Sequence, residues 1–267
     1  MKTNKMFIIC GKELLAFSRD RRTLRAMTIF PLIFIPLVVY MFSMALRNPK
    51  IAFIVVVPAL FQCIPAFFLS MISYFAFDIT AGEKDRGTME TTLSLFATRK
   101  ELVLGKYCAI VAANLIAGVI IFFFLLISYL SAKLMLSDFT LASFSSFDPR
   151  PYICYVVTLL YYAAFYPALL LLIGLFARST KEAFACLPPI LMVSIFAVVA
   201  PFYGVHLTLI TVLIPGLNCY LIAQQFLRYS VDWIYWVILF SSVIVYSLAC
   251  IKGSMCLMER DTILNRT

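Results

Sequence analysis

The residues able to do chemistry crowd into one stretch. From Asp78 to Lys106 the chain reads D-I-T-A-G-E-K-D-R-G-T-M-E-T-T-L-S-L-F-A-T-R-K-E-L-V-L-G-K, five acids and five bases among 29 residues. A short helix is predicted over Asp85–Leu95. Met89, Leu93 and Phe96 then fall at i, i+4 and i+7 and form one apolar stripe. Such a stripe set among charges is a docking surface. The plainer alternative is a solvated loop closed by its own ion pairs. Catalysis finds little to use elsewhere. The single histidine, His206, cannot build a metal site or a Ser-His pair with partners of its own kind. The eight cysteines form no C-x-x-C pair, and most sit in apolar tracts, where cysteine acts as a small hydrophobe. Gly105-Lys106 is followed by Tyr107 and lacks the leading glycine of a phosphate loop. The chain is therefore expected to be no enzyme and to bind no cofactor or metal itself. Energy for any uphill step must come from another polypeptide.

The elements that carry this stretch belong in a membrane. Of 267 residues, 63% are hydrophobic and 13% are charged, against roughly 25% charged in an average soluble domain. Mean hydropathy is +0.99. Uncharged tracts run over 26–46, 51–77, 107–132, 151–177, 183–227 and 233–251, and about 20 apolar helical residues cross a bilayer core. The tract 183–227 has 45 residues and would be about 67 Å long as one helix. Pro201 and Gly204 end a span over 183–202, and Pro215-Gly216 interrupt the apolar residues beyond it. Leu207–Ile214 and Leu217–Leu227 are predicted as two short helical pieces of a re-entrant hairpin over 205–227. Non-helical backbone at that depth must be buried in protein or line a wet cavity.

Charge sets the orientation. The formal net charge of +9 reports topology here, and no nucleic-acid partner is expected. With six spans, seventeen of the 22 basic residues fall on the side of the two termini, which the positive-inside rule makes cytoplasmic. Seven spans would send Lys252, Arg260 and Arg266 outside. No acidic or basic residue is expected mid-membrane, where an ion-coupled carrier needs one. Residues 1–25 read as an amphipathic helix in the cytoplasmic interface. Met6, Cys10, Leu14, Phe17 and Leu24 form its apolar stripe, and Lys5, Lys12 and Arg19 lie on another face. The fold class is an all-α integral membrane protein of six transmembrane helices.

Several segments carry a resemblance. A-G-E-K-D-R-G-T-M-E-T-T-L followed by T-R-K-E-L-V-L-G-K resembles the cytoplasmic loop of ABC type-2 exporter permeases. K-E-L-L-A-F-S-R-D-R-R-T-L leading to I-F-P-L, L-F-A-R-S-T-K-E-A, and I-P-G-L-N are similar to the same family, in the same order. Within that family the chain looks like the Nat-type sodium-efflux permeases and their relatives. Here, however, only Arg47-Asn48-Pro49-Lys50 stands where those carry a large extracellular insert, and Phe96 stands where the family usually has proline. The resemblance implies a permease subunit in the cytoplasmic membrane. It would pair with a second permease, identical or similar, and with two ATP-binding subunits that hold ATP and Mg. It assigns a connecting helix with Lys12, Glu13, Arg19 and Arg22. It assigns an ATPase-coupling segment in the loop 78–106 with Glu83, Arg86, Met89, Glu90, Leu93 and Phe96. It also assigns an outer gate with Pro215 and Asn218, and a path between two permeases in contact with membrane lipid. The alternatives are a non-transporting membrane anchor or assembly subunit that docks a cytoplasmic ATPase, and a passive channel. In a cysteine-free background, a cysteine at position 265 is expected to resist an impermeant maleimide added outside the cell. Labelling from outside would refute the six-span topology.

Overall fold

The computed structural model describes residues 5–21, 24–25, 29, 40, 72–89, 98–135, 150–199, 208–218, 221–222 and 233–259. Among the described residues every regular element is a helix. In chain order these are α1 (Lys5–Arg19), α2 (72–78), α3 (Ala81–Asp85), α4 (Arg99–Met135), α5 (Arg150–Phe176), α6 (Thr180–Ala185), α7 (Leu187–Val199) and α8 (Trp233–Glu259), with a 3-10 turn at Thr211–Leu213 before α8. Three helices here are long and apolar enough to cross a membrane: Arg99–Phe124, Val156–Phe176 and Trp233–Glu259. The expected span 26–46, apart from residues 29 and 40, and most of 51–77 lie outside the described residues.

Side-chain contacts fix how these helices run. Arg99 at the start of α4 donates to the carbonyl of Met258 near the end of α8, at 2.8 Å. Farther along α4, Tyr107 donates to Ala164 O at 3.0 Å and Asn114 to Tyr162 O at 3.2 Å. Ascending α4 therefore means descending α5. Helices α5 and α8 run parallel to each other and antiparallel to α4, and α5 and α8 share the most extensive contact. Small residues permit the approach. Ala109, Ala113 and Ala117 form a buried row along α4, and without a hydrophobic drive between helices in lipid such rows favour tight packing. Pro167 lies within α5 and lacks the N–H that would bond back four residues. Tyr107 and Asn114 donate to Ala164 O and Tyr162 O, the carbonyls on either side of Ala163 O, which Pro167 cannot serve.

Several helix limits differ from the apolar tracts. Helix α4 starts at Arg99, well before the tract at 107, and α8 continues to Glu259, past the tract end at 251. Where one span was expected over 183–202, α6 and α7 are separated at Cys186. The reason is local: Pro188 and Pro189 have no N–H for the carbonyls of the preceding turn, yet fit the first turn of a new helix.

The stretch 208–218 is less helical than the spacing predicts. Instead of a helix over Leu207–Ile214 there is one 3-10 turn at Thr211–Leu213. Thr208 and Thr211 cap each other's backbone there: Thr208 N–H donates to Thr211 Oγ1 at 2.8 Å, and Thr211 N–H to Thr208 Oγ1 at 3.3 Å. Ile214 is extended, with ψ 115°, because the following proline disfavours the helical region. Gly216 has φ 88°, a left-handed conformation that glycine adopts without a Cβ penalty. This segment lies deep against α8. Tyr246 donates to Leu213 O at 2.5 Å, and Tyr246 is roughly 20 Å along α8 from Trp233 at 1.5 Å per residue.

Helix α1 crosses the start of α4. Its buried face is Ile9, Glu13 and Phe17, rotated from the expected stripe. Met6, Cys10, Leu14 and Leu24 are only half-buried flank. The cause is Gly105, where a Cβ would lie 2.8 Å from Ile9 Cβ and 3.0 Å from Met6 O. The bare glycine backbone makes the slot that Ile9 fills.

Gly174 is the tightest of these approaches. A Cβ there would meet Thr80 Oγ1 at 2.0 Å and Thr80 Cβ at 2.9 Å. Thr80 is held in turn by its hydroxyl, which donates to Ala76 O at 2.6 Å. Gly174→Ala is expected to destabilise the protein by about 1–3 kcal/mol or more, seen as a lower thermal midpoint in detergent. Gly253→Ala meets the flexible end of Leu172 at 3.2 Å and should cost clearly less. Equal midpoints for the two variants would contradict this packing.

Candidate functional site

The charged residues gather where α1, the 78–89 segment and the start of α4 meet. Lys106, one residue past the Gly105 slot, is 1% exposed, Glu83 is 5% and Glu13 is 4%. Lys106 Nζ donates to Glu83 Oε2 at 2.6 Å and also to the carbonyl of Ile79, just past α2. Lys12 Nζ lies 3.4 Å from Glu13 Oε1 and 4.0 Å from Glu83 Oε1. Two lysines and two glutamates thus form a neutral quartet, with α1, α3 and α4 each contributing. Its interior members are buried charges, which persist only when paired and hydrogen-bonded.

A second set of contacts fastens the same segment to α5 and α6. Lys84 Nζ donates to Leu175 O and, at 3.0 Å, to Ala177 O, which caps the carbonyl end of α5. Burial lowers the Lys84 pKa to about 8, with Glu182 pulling the other way. Asp85 accepts from Thr180 N–H at 2.9 Å and from its hydroxyl at 2.7 Å, and these bonds hold the Asp85 carboxyl below its usual pKa. Ser179 accepts from Glu182 N–H at 3.3 Å and caps the start of α6, and Glu182 Oε2 accepts from Arg178 N–H at 2.7 Å, one residue before the cap.

The expected site residues separate into groups. Lys12, Glu13 and Glu83 come together in the quartet. Arg86 turns outward to Asp78, at 2.8 Å, and Arg19 is exposed in the last turn of α1. The helix predicted over Asp85–Leu95 is interrupted: α3 ends at Asp85, Gly87 has φ 66°, and Met89 is helical again. Glycine at a left-handed position stops the preceding helix. Met89, expected on an exposed stripe, is packed in the core at 4% exposure. Arg22, Glu90, Leu93 and Phe96 lie outside the described residues. Pro215 and Asn218 are remote from the quartet, beside α8. Pro215 is half-buried, and Asn218 is fully buried and donates to Ser242 Oγ at 3.4 Å. Lys106 was missed as a site residue because it stands at the edge of an apolar tract, where lysine ordinarily snorkels to water. The available signal was its glycine neighbour, which lets a second helix cover it. Among the described residues no group of His, Cys, Asp or Glu could hold a metal ion.

A family described as ABC-2 family transporter protein matches residues 7–235. The chain belongs to this family. The matched range takes in the whole quartet, so the buried charges belong to an ABC-transporter permease, a multi-pass membrane protein that acts in transport. Permeases of this family generally partner with ATP-binding subunits. Comparison with curated proteins found no match.

The Lys84 contact has a pH signature. An unfolded lysine titrates near 10.4, so between about pH 8 and that value the unfolded chain holds more protons. Stability contributed by this site should rise with pH across that window. The neutral amine retains two N–H donors, enough for both carbonyls. Lys84→Met loses both bonds at every pH. Its deficit in thermal midpoint against the wild type should therefore widen from pH 7.5 to pH 10. A deficit that shrinks over this range would contradict the assignment.

Proposed function

We propose that the chain is the permease subunit of an ATP-driven exporter, one half of a transporter completed by a second permease and two separate ATP-binding subunits. The observation that carries this reading is the quartet. It joins the connecting helix (Lys12, Glu13) to the first part of the coupling loop (Glu83), in a chain that belongs to a transporter family. ATP and Mg would be held by the partner subunits. Asp85, Arg86 and Gly87 are exposed and lead into Glu90, Leu93 and Phe96, which would meet the ATP-binding subunit. Met89 and Glu83 would anchor the loop from the inner side. Arg19 and Arg22 would hold α1 at the anionic face of the cytoplasmic leaflet.

Six spans with both termini cytoplasmic fit the charge distribution. The contact of Leu213 with the middle of α8 supports a re-entrant segment over 205–227. Pro215 and Asn218 within it would form the outer gate. Within the family the proposed likeness is to Nat-type permeases, without their extracellular insert. Closure of the ATP-binding subunits on ATP would press on the loop and on α1, and the spans would rock to open a path between the two permeases.

Leu93→Asp tests the docking role. A carboxylate forced into a dry apolar socket costs several kcal/mol. The ATP-binding subunit should no longer co-purify, while the permease remains inserted and monodisperse. Co-purification at the wild-type level would contradict the proposal.

A further inference from the structure

We infer that Lys106 is a positioning residue for energy transmission: it locks α1, the coupling loop and α4 into one body, so that α4 is the span driven directly by the ATP-binding subunits. This rests on the function proposed above and adds a residue and a driven helix to it.

The geometry is specific to Lys106. Its ammonium is buried and donates to two points of the loop, Glu83 Oε2 at 2.6 Å and Ile79 O. One acceptor is a side chain and the other is backbone, so the loop cannot swivel about a single contact. On α1 the buried Glu13 carboxylate pairs with Lys12, whose ammonium lies 4.0 Å from Glu83 Oε1. Immediately beside Lys106, the missing Cβ of Gly105 lets α1 come within van der Waals contact of the α4 backbone at Ile9 and Met6. Sliding the loop along α4 would strip Lys106 and Glu83 of each other, a state that proteins avoid, and sliding α1 would lift Ile9 out of the Gly105 slot. Moving all three together keeps every bond within the quartet, and the bonds that must yield are those to other helices, such as Lys84 to α5 and Asp85 to Thr180. By contrast, residues 85–88 are exposed, which leaves that turn accessible to whatever pushes. A push there reaches α4 through the buried ion pair of Lys106 with Glu83, whereas α5 and α6 are met by the half-buried Lys84, the exposed Asp85 and the packing of Thr80 on Gly174.

The double variant Glu83→Gln/Lys106→Met separates transmission from folding. Removing both members of a buried pair is often tolerated where removing one is not, and Lys12 with Glu13 remains as a balanced pair. The readout is a nitroxide at Ile127, an exposed position on α4 far along the helix from Lys106. It is placed in a cysteine-free background of the complex purified with its ATP-binding subunits and reconstituted in lipid. In the wild type, trapping with ATP and vanadate should change the spectrum at Ile127. In the double variant, purified as a monodisperse complex, that spectral change should fall several-fold. A full spectral response in the double variant, or none in the wild type, overturns the inference. Should the double variant fail to assemble, Glu83→Ala alone decides: it removes the side-chain acceptor and leaves Lys106 bonded to the loop through Ile79 O only, and a response equal to the wild type overturns the inference. If the wild type purifies without any ATP-binding subunit, the proposed function itself falls, and the inference with it.

Discussion

Helix ends inside or beside a bilayer leave carbonyls that water cannot reach, and this structure meets that constraint with cations from elsewhere in the chain. Lys84 serves the end of α5, Arg99 serves α8, and Lys106 serves the carbonyl just beyond α2. Each donor lies in the segment between residues 84 and 106. Each combines hydrogen bonding with a favourable charge at the negative end of a helix. The basic residues that the positive-inside rule counts as topology signals are here also structural ligands. They gather three helix ends at one level of the bundle.

The buried acids reflect the same arrangement. Once Lys106 is drawn inside, it requires a carboxylate, and Glu83 supplies one from a turn whose other contacts already hold it in place. Thr80 sits against the bare face of Gly174, and Asp85 is tied to Thr180. Part of what the sequence presents as a polar loop is thus core: Ile79, Thr80, Ala81, Gly82 and Glu83 are all buried. Among the described residues 79–89, Asp85 to Thr88 are the exposed ones.

The legible parts of the fold are those decided by composition. The tract 151–177 and the helix Arg150–Phe176 nearly coincide, because an uncharged run of that length has one stable state in lipid. Pro215-Gly216 is legible as a break for equally local reasons. The features hidden from the sequence are decided by partners distant along the chain. Hydropathy places Met6, Cys10 and Leu14 on the inner face of α1, yet Glu13 is buried and Phe7, Ile8 and Leu15 are exposed. A carboxylate reads as surface until the lysine that neutralises it is known. Likewise Gly87 reads as a tolerable residue near the start of a helix, and its left-handed φ becomes decisive only with Glu83 and Met89 both turned inward. The candidate site is legible as a set of residues, three of which meet, but not as a buried network.

The quartet also constrains the order in which the protein can be built. Lys12 and Glu13 emerge from the ribosome long before Glu83 and Lys106, with two apolar tracts synthesised in between. Until α4 is in place, Glu13 has no buried partner and must remain in water, so α1 can rest on the membrane surface but cannot seat. Helix α5 then adds two hydrogen bonds to α4, from Tyr107 and Asn114. Insertion of α4 is therefore the event on which the N-terminal helix waits, and an assembly defect there would strand that helix at the lipid headgroups.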